Sequence, residues 1–366
     1  MRVWLPLVSL LLACGDSSNN TKDGSIDGKT FEDAGIDAAI TVPATLFDTG
    51  LCVDRACTQI SADVMEYTPQ FPLYADTATK RRWFKLPPGT KIDTTDMDHW
   101  VFPVGTTFWK EFTRDTTRVE TRMIRRIYEP DSVTSWQYVS YEWNATNDDT
   151  TQADAAGVMN ANGTQHDIPS VSNCKSCHEN LKPTRILGFG AIELDWAGVN
   201  ADDITLHKLV DMNLLTTNPP AAASSTAPFY PIEGSATIVA GMGYVHANCS
   251  HCHNPTSVFH NNTGLELRML VGEVHDHTLT AAYRTAVNKA ATAGDLLGQI
   301  TDRSCTANAT TYPCVIKSGD PANSIMHARF VFDRANDPNN FHMPQLGTEM
   351  IDSNGTTVIT NWINNP

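Results

Sequence analysis

The sequence predicts an α+β chain of more than one domain, a β-sandwich or barrel-like domain followed by a mainly α domain. Three observations predict it. Short β-branched and aromatic runs separated by turn residues fill the stretch from Tyr67 to Trp143. Helix-length segments, long loops and two Cys-x-x-Cys-His motifs fill the part after Gly163. At 366 residues the chain exceeds the usual single-domain size.

The first element is a targeting segment: Arg2, the apolar stretch Val3 to Leu12, then Ala13 and Cys14. It is too short to span a bilayer as a helix. Leu11 to Gly15 resembles the bacterial lipobox, in which cleavage precedes the Cys and that Cys receives lipid. The resemblance implies a signal peptide over residues 1–13 and lipidation of Cys14, hence export and membrane attachment through an N-terminal lipid anchor. By resemblance to enterobacterial sorting, Gly15 rather than Asp after the Cys implies the outer membrane of the bacterial cell envelope, facing the periplasm or the cell surface. Several acyl chains on one residue hold a protein firmly, where a single chain binds marginally. The following stretch, to about Leu46, is rich in Asp, Gly, Ser, Thr and Asn, so it is expected to be a flexible tether. Residues 14–58 are therefore assigned to the lipidated Cys and tether.

Residues 59–163 form the predicted β-rich domain. Its strands are expected at Arg82–Leu86, Trp100–Phe102, Thr106–Trp109, Val119–Ile124 and Trp136–Tyr141, with turns at Pro87–Gly89 and Pro103–Gly105. The alternation in the last two runs suits a half-buried antiparallel sheet. Asn144 to Gly163 is polar and turn-rich, a crossing between domains. Residues 164–366 form the predicted α domain, with helices at Asp203–Leu215, Ser235–Asn248, Thr278–Thr292, Pro321–Phe332 and Gly355–Asn364. Asp320-Pro321 has the form of an N-cap followed by Pro at the first helical position.

Cys174-Lys-Ser-Cys177-His178 and Cys249-Ser-His-Cys252-His253 carry the chemistry. In each, two thiols spaced to reach two vinyl groups on one porphyrin edge form thioethers, and the adjacent His ligates the iron. Zinc would use the thiolate pairs without needing a His directly after both, and a redox disulfide needs no His at all. The spacing therefore predicts two covalently bound c-type haems. His251, between two anchored cysteines, is expected at the surface. A haem that only transfers electrons takes a sixth ligand, and Met343, in a loop that Pro344 keeps from being helical, is the candidate for the second haem. For the first haem the candidates are His246, ranked first, then Met212, His207, Met242 and His166.

Nine cysteines then resolve into roles. With Cys14 on lipid and four on haem, Cys52, Cys57, Cys305 and Cys314 remain, and export favours disulfides Cys52–Cys57 and Cys305–Cys314. A net charge of -15 excludes nucleic acid as the partner, because phosphate binding needs a basic face.

The segments Gly241–Asn248, Ser318–Ser324, Met343–Gly347 and Val358–Ile363 resemble class I cytochrome c modules in content and order. The resemblance covers roughly Ile238 to Pro366. It implies that the helix entering the second motif crosses the C-terminal helix, with Val245 and Trp362 meeting near the crossing. A wider likeness takes in Leu86–Thr90, Trp100–Thr106, Glu120–Arg122, Ile168–Ser170 and Leu187–Phe189. It resembles an uncharacterised family of bacterial diheme c-type cytochromes with a β-rich N-terminal half, and brings no established substrate. The first motif lacks a Met-Pro-x-Leu-Gly loop of its own. Together the motifs and the resemblance imply electron transfer between exported donor and acceptor proteins, by a carrier rather than a catalyst. The alternative is a diheme peroxidase-like oxidoreductase with an open first haem.

Overall fold

Alternating apolar and polar residues build a single antiparallel sheet. In the computed structural model six strands run in sequence order, each paired with the next: β1 (Met65–Glu66), β2 (Thr79–Lys85), β3 (Thr107–Arg114), β4 (Thr117–Arg126), β5 (Trp136–Trp143) and β6 (Thr150–Gln152). The structure describes residues 41–180, 186–257, 263–292, 300–337 and 340–366. The predicted signal peptide, Cys14 and most of the predicted tether lie outside the described residues.

The expected sandwich or barrel is a one-sheet meander instead. Both faces of that sheet are covered, so β3 is buried along nearly its whole length. On the outer face Trp83, Trp109, Met123, Tyr141 and Trp143 pack against Leu46, Leu51 and Cys52. The segment that follows residue 41 is therefore a strap, although the tether was expected to reach residue 58. Leu46 and Leu51 give it an apolar side, the Cys52–Cys57 disulfide closes it, and Tyr141 and Gln152 side chains donate to the Pro43 carbonyl. The predicted second disulfide, Cys305–Cys314, is also formed, beside the small hairpin of β7 (Cys305–Ala307) and β8 (Thr310–Tyr312).

The inner face meets the helical half. Phe189 is the residue that joins them: its ring lies 4.7 Å from those of Phe84 and Tyr67, 5.2 Å from Phe108 and 5.8 Å from Trp100. Edge-to-face packing of this kind adds to the area buried. Sheet and helices thus share one core, and residues 42–366 form a single compact unit. Trp100–Phe102 is held by one bridge, Asp93 to Val101, rather than as a strand. The stretch expected to cross between domains holds β6.

The helices are α1 (Val171–His178), α2 (Ala191–Leu194), α3 (Leu206–Asp211), α4 (Ala236–Asn248), α5 (Ala281–Ala286), α6 (Ile325–Phe330) and α7 (Ser353–Asn364). Side-chain caps start the principal ones: Ser170 for α1, Ser235 for α4 and Asp352 for α7. Asp320 accepts from the Asn323 amide at the start of a short 3-10 turn led by Pro321. Helices α4 and α7 pack against each other, and Val245 and Trp362 are in the same buried cluster. Among the described residues no helix is long and apolar enough to cross a membrane.

Candidate functional site

The first motif occupies α1, whose N-cap Ser170 directs Cys174, Cys177 and His178 along a short helix packed on β5. The three line a cavity of about 860 Å³. That volume is within the roughly 300–1,000 Å³ typical of ligand and cofactor pockets. The cavity wall combines the inner sheet face with Tyr67, Trp100 and Phe189. The His178 ring lies 5.7 Å from that of Tyr138.

The second motif begins where α4 ends. Amides of Cys252 and His253 donate back to the Cys249 carbonyl at 3.1 and 2.9 Å, which winds the motif into a tight turn. The Cys177 and Cys252 side chains are close enough to shift one another, so the two motifs lie side by side. Interaction with Cys252, then with His251, lowers the Cys177 thiol, and Cys177 in turn raises Cys252. Burial pushes Cys249 up to about 12. His251, expected at the surface, is only 7% exposed, because the first motif covers it.

His253 is nearly buried, and its Nδ1 has no hydrogen-bond partner. Burial first, then the nearby charges of His251 and Arg329, lowers it to about 4 and keeps the ring neutral. A neutral imidazole is the form that ligates iron. Met343 is tied to the same Arg329: its amide donates to the Arg329 carbonyl at 3.0 Å, and its own carbonyl accepts from Arg334. The neighbouring His342 and Pro344–Glu349 line the cavity of the first motif.

The donor set fits c-type haem. Cys174, Cys177, Cys249 and Cys252 are free thiols while the other described cysteines are paired. Among the described residues no three His, Cys, Asp or Glu side chains converge as a zinc site would require. A porphyrin brings its own four nitrogens, so one His beside each thiol pair is enough.

The sixth-ligand candidates for the first motif separate clearly. His246 Nε2 bonds to Glu193 Oε1 at 2.9 Å and its Nδ1 accepts from the Met269 amide at 3.0 Å, which leaves neither nitrogen for iron. His246 is therefore a structural partner of Glu193. Met242 is fully buried in the α4–α7 core, Met212 is 49% exposed, and His207 bonds to the Ala227 carbonyl. His166 lines the cavity with its Nε2 bonded to Glu120 Oε1 at 2.7 Å. Burial raises the Glu120 carboxyl, but Arg122 and His166 outweigh it and hold the group down at about 2.

Sequence reasoning missed the polar part of the wall. Arg82, Lys110, Arg122 and Glu120 all face the cavity side of a sheet that otherwise presents Phe84, Phe108 and Ile124 there. The available signal was charge at inward positions of alternating strands. Compared with protein-family models, curated proteins and solved structures, the chain matches none, so the site's own geometry carries the functional argument.

Proposed function

We propose that this chain is an exported diheme c-type cytochrome lipoprotein that passes electrons singly between redox partner proteins of the cell envelope. Cys174 and Cys177 hold one haem by thioethers and Cys249 and Cys252 the other, with His178 and His253 as iron ligands and Met343 as the sixth ligand of the second. Haem supplies an iron that accepts and releases one electron at a time. The chain does the rest. The inner sheet face keeps water from one side of the first site, and the burial of His253 keeps its imidazole neutral for ligation. Cys14 anchors the protein, through lipid, to the outer membrane.

The observation that carries this reading is the closeness of the Cys177 and Cys252 side chains, near enough for each to shift the other. It supports two attachment sites close enough for an electron to pass between them without leaving the protein. A second reading, a peroxidase-like oxidoreductase with an open first haem, is supported by His246, whose two nitrogens are both engaged elsewhere.

The test is the mass of the purified holoprotein with its absorption and electron-paramagnetic spectra. Two haem increments and two low-spin irons are expected. A mass without both increments ends the proposal, and a high-spin signal that responds to peroxide transfers it to the second reading.

A further inference from the structure

Three cations stand in register across three adjacent strands. Arg82 on β2 pairs with Lys110 on β3, and Lys110 pairs with Arg122 on β4. Strand alternation puts all three on the inner face, where they line the cavity. Like charges directly opposite one another destabilise a sheet. Burying a cation unpaired is costlier still.

Only one rung is neutralised inside the protein. Arg122 holds Glu120 through Nε at 2.9 Å, and Glu120 is further engaged by His166. Arg82 is 5% exposed, and among the described residues no carboxylate pairs with it. Lys110 meets the Phe112 ring, 4.9 Å from its centroid; among the described residues no carboxylate forms an ion pair with it, and Glu120 acts on it only through its more distant charge. Burial, then the charges of Arg82, Lys80 and Arg122, presses the Lys110 ammonium towards its neutral form. Neutralising Lys110 relieves part of this cost, and an anion entering the cavity would relieve the rest by pairing with Arg82.

The rest of the lining limits what that is. Tyr67, Trp100, Phe108, Tyr138 and Phe189 give the wall an aromatic part, while Asp76, Asp98, Asp167, Glu193 and Glu349 place acids on other parts of it. What sits between the ladder and this aromatic part, away from those acids, is best a flat apolar body with acid at one edge, and a guanidinium fork suits carboxylate. The ladder also has a direction. Arg122 stands on β4, next to β5, on which α1 with Cys174 and Cys177 packs. At roughly 4.8 Å per strand, Arg82 stands about 10 Å further along. A haem has its vinyl groups and its propionates at different edges.

We propose that Arg82 and Lys110 form a carboxylate-binding site in the cavity wall, and that the propionates of the haem carried by Cys174 and Cys177 fill it. The source of the carboxylate rests on the haem reading above. The site itself rests on the unpaired ladder.

The experiment uses full-length holoprotein and the variants Arg82→Gln, Lys110→Gln, both together, and Arg82→Lys as the conservative control. Mass first counts the haems. Redox titration then follows two waves, the first-haem wave being the one lost when Cys174 and Cys177 are both Ala. In the double Gln variant the midpoint of that wave is expected to fall by about 59 mV or more, a tenfold or greater rise in the oxidised-to-reduced ratio at fixed potential. The other wave is expected to stay put, and Arg82→Lys to retain most of the potential. The propionate-bending band in resonance Raman spectra should shift in Arg82→Gln. An unmoved wave and an unshifted band in haem-loaded variants overturn the proposal.

Sodium acetate and inorganic phosphate separate the two sources. Saturable binding of either by wild-type holoprotein, abolished in the double variant, identifies a free anion as occupant and overturns the propionate assignment. If mass finds no haem, the haem reading fails by itself. Tryptophan fluorescence then judges the ladder: saturable quenching by acetate, lost in the double variant, upholds the anion site, and no quenching removes it.

Discussion

Gly241 of α4 lies against Trp362 of α7 so closely that a methyl group on Gly241 would run into the Trp362 Cβ and Cγ. Trp362 is fully buried, so it has nowhere to retreat. Gly241→Ala is expected to cost about 1–3 kcal/mol by overpacking. Urea denaturation measures it, and an unchanged midpoint would show that the two helices slide apart freely.

Haem stoichiometry follows from the motifs one at a time. Replacing Cys174 and Cys177 with Ala is expected to remove one haem increment and leave the other, and replacing Cys249 and Cys252 the converse. Mass spectrometry with a pyridine haemochrome assay reads this directly. Loss of both haems from either variant would make the two attachment events interdependent.

Met343→Ala is expected to abolish the sulfur-to-iron charge-transfer band and to lower the potential of the second haem, since thioether favours reduced iron. The band's survival would remove Met343 from the coordination sphere.

The buried pair of Glu193 and His246 gives a pH signature. Burial alone would raise the Glu193 carboxyl, but the hydrogen bond from His246, with the Arg268 charge and a backbone amide, holds it low. A depressed acid stabilises the fold fully above its unfolded value, about 4.3, and loses that contribution as pH falls towards 2. Glu193→Ala should therefore cost about 3 kcal/mol at neutral pH, with the deficit shrinking between about pH 4.5 and 2. Denaturation of wild type and variant across that range checks it. A deficit that does not vary with pH would mean the pair acts through packing alone.

What was legible in the sequence was local. Alternation at Val119–Ile124 and Trp136–Tyr141 placed β4 and β5, and Ser235 placed the start of α4. The close spacing of Cys52 and Cys57, and of Cys305 and Cys314, pointed to the disulfides that form. What was not legible depends on residues far apart. The sheet stays single because Leu46 and Leu51, in a stretch that looked like tether, cover its outer face. The engagement of His246 depends on Glu193, 53 residues away. The basic ladder exists only once register sets Arg82 beside Lys110 and Lys110 beside Arg122. His251 is hidden by a motif more than 70 positions earlier, a relation that no local pattern encodes.

The N-terminal strap also has a mechanical meaning. A pull on the chain ahead of Val42 reaches the body at Pro43, through hydrogen bonds to Tyr141 on β5 and Gln152 on β6. Those strands carry the load on the face turned away from the cavity. The Cys52–Cys57 loop, itself cross-linked, lies next in line. Traction applied there would therefore be borne by the sheet's back, sparing the side where Cys174, Cys177 and His178 open to the cavity.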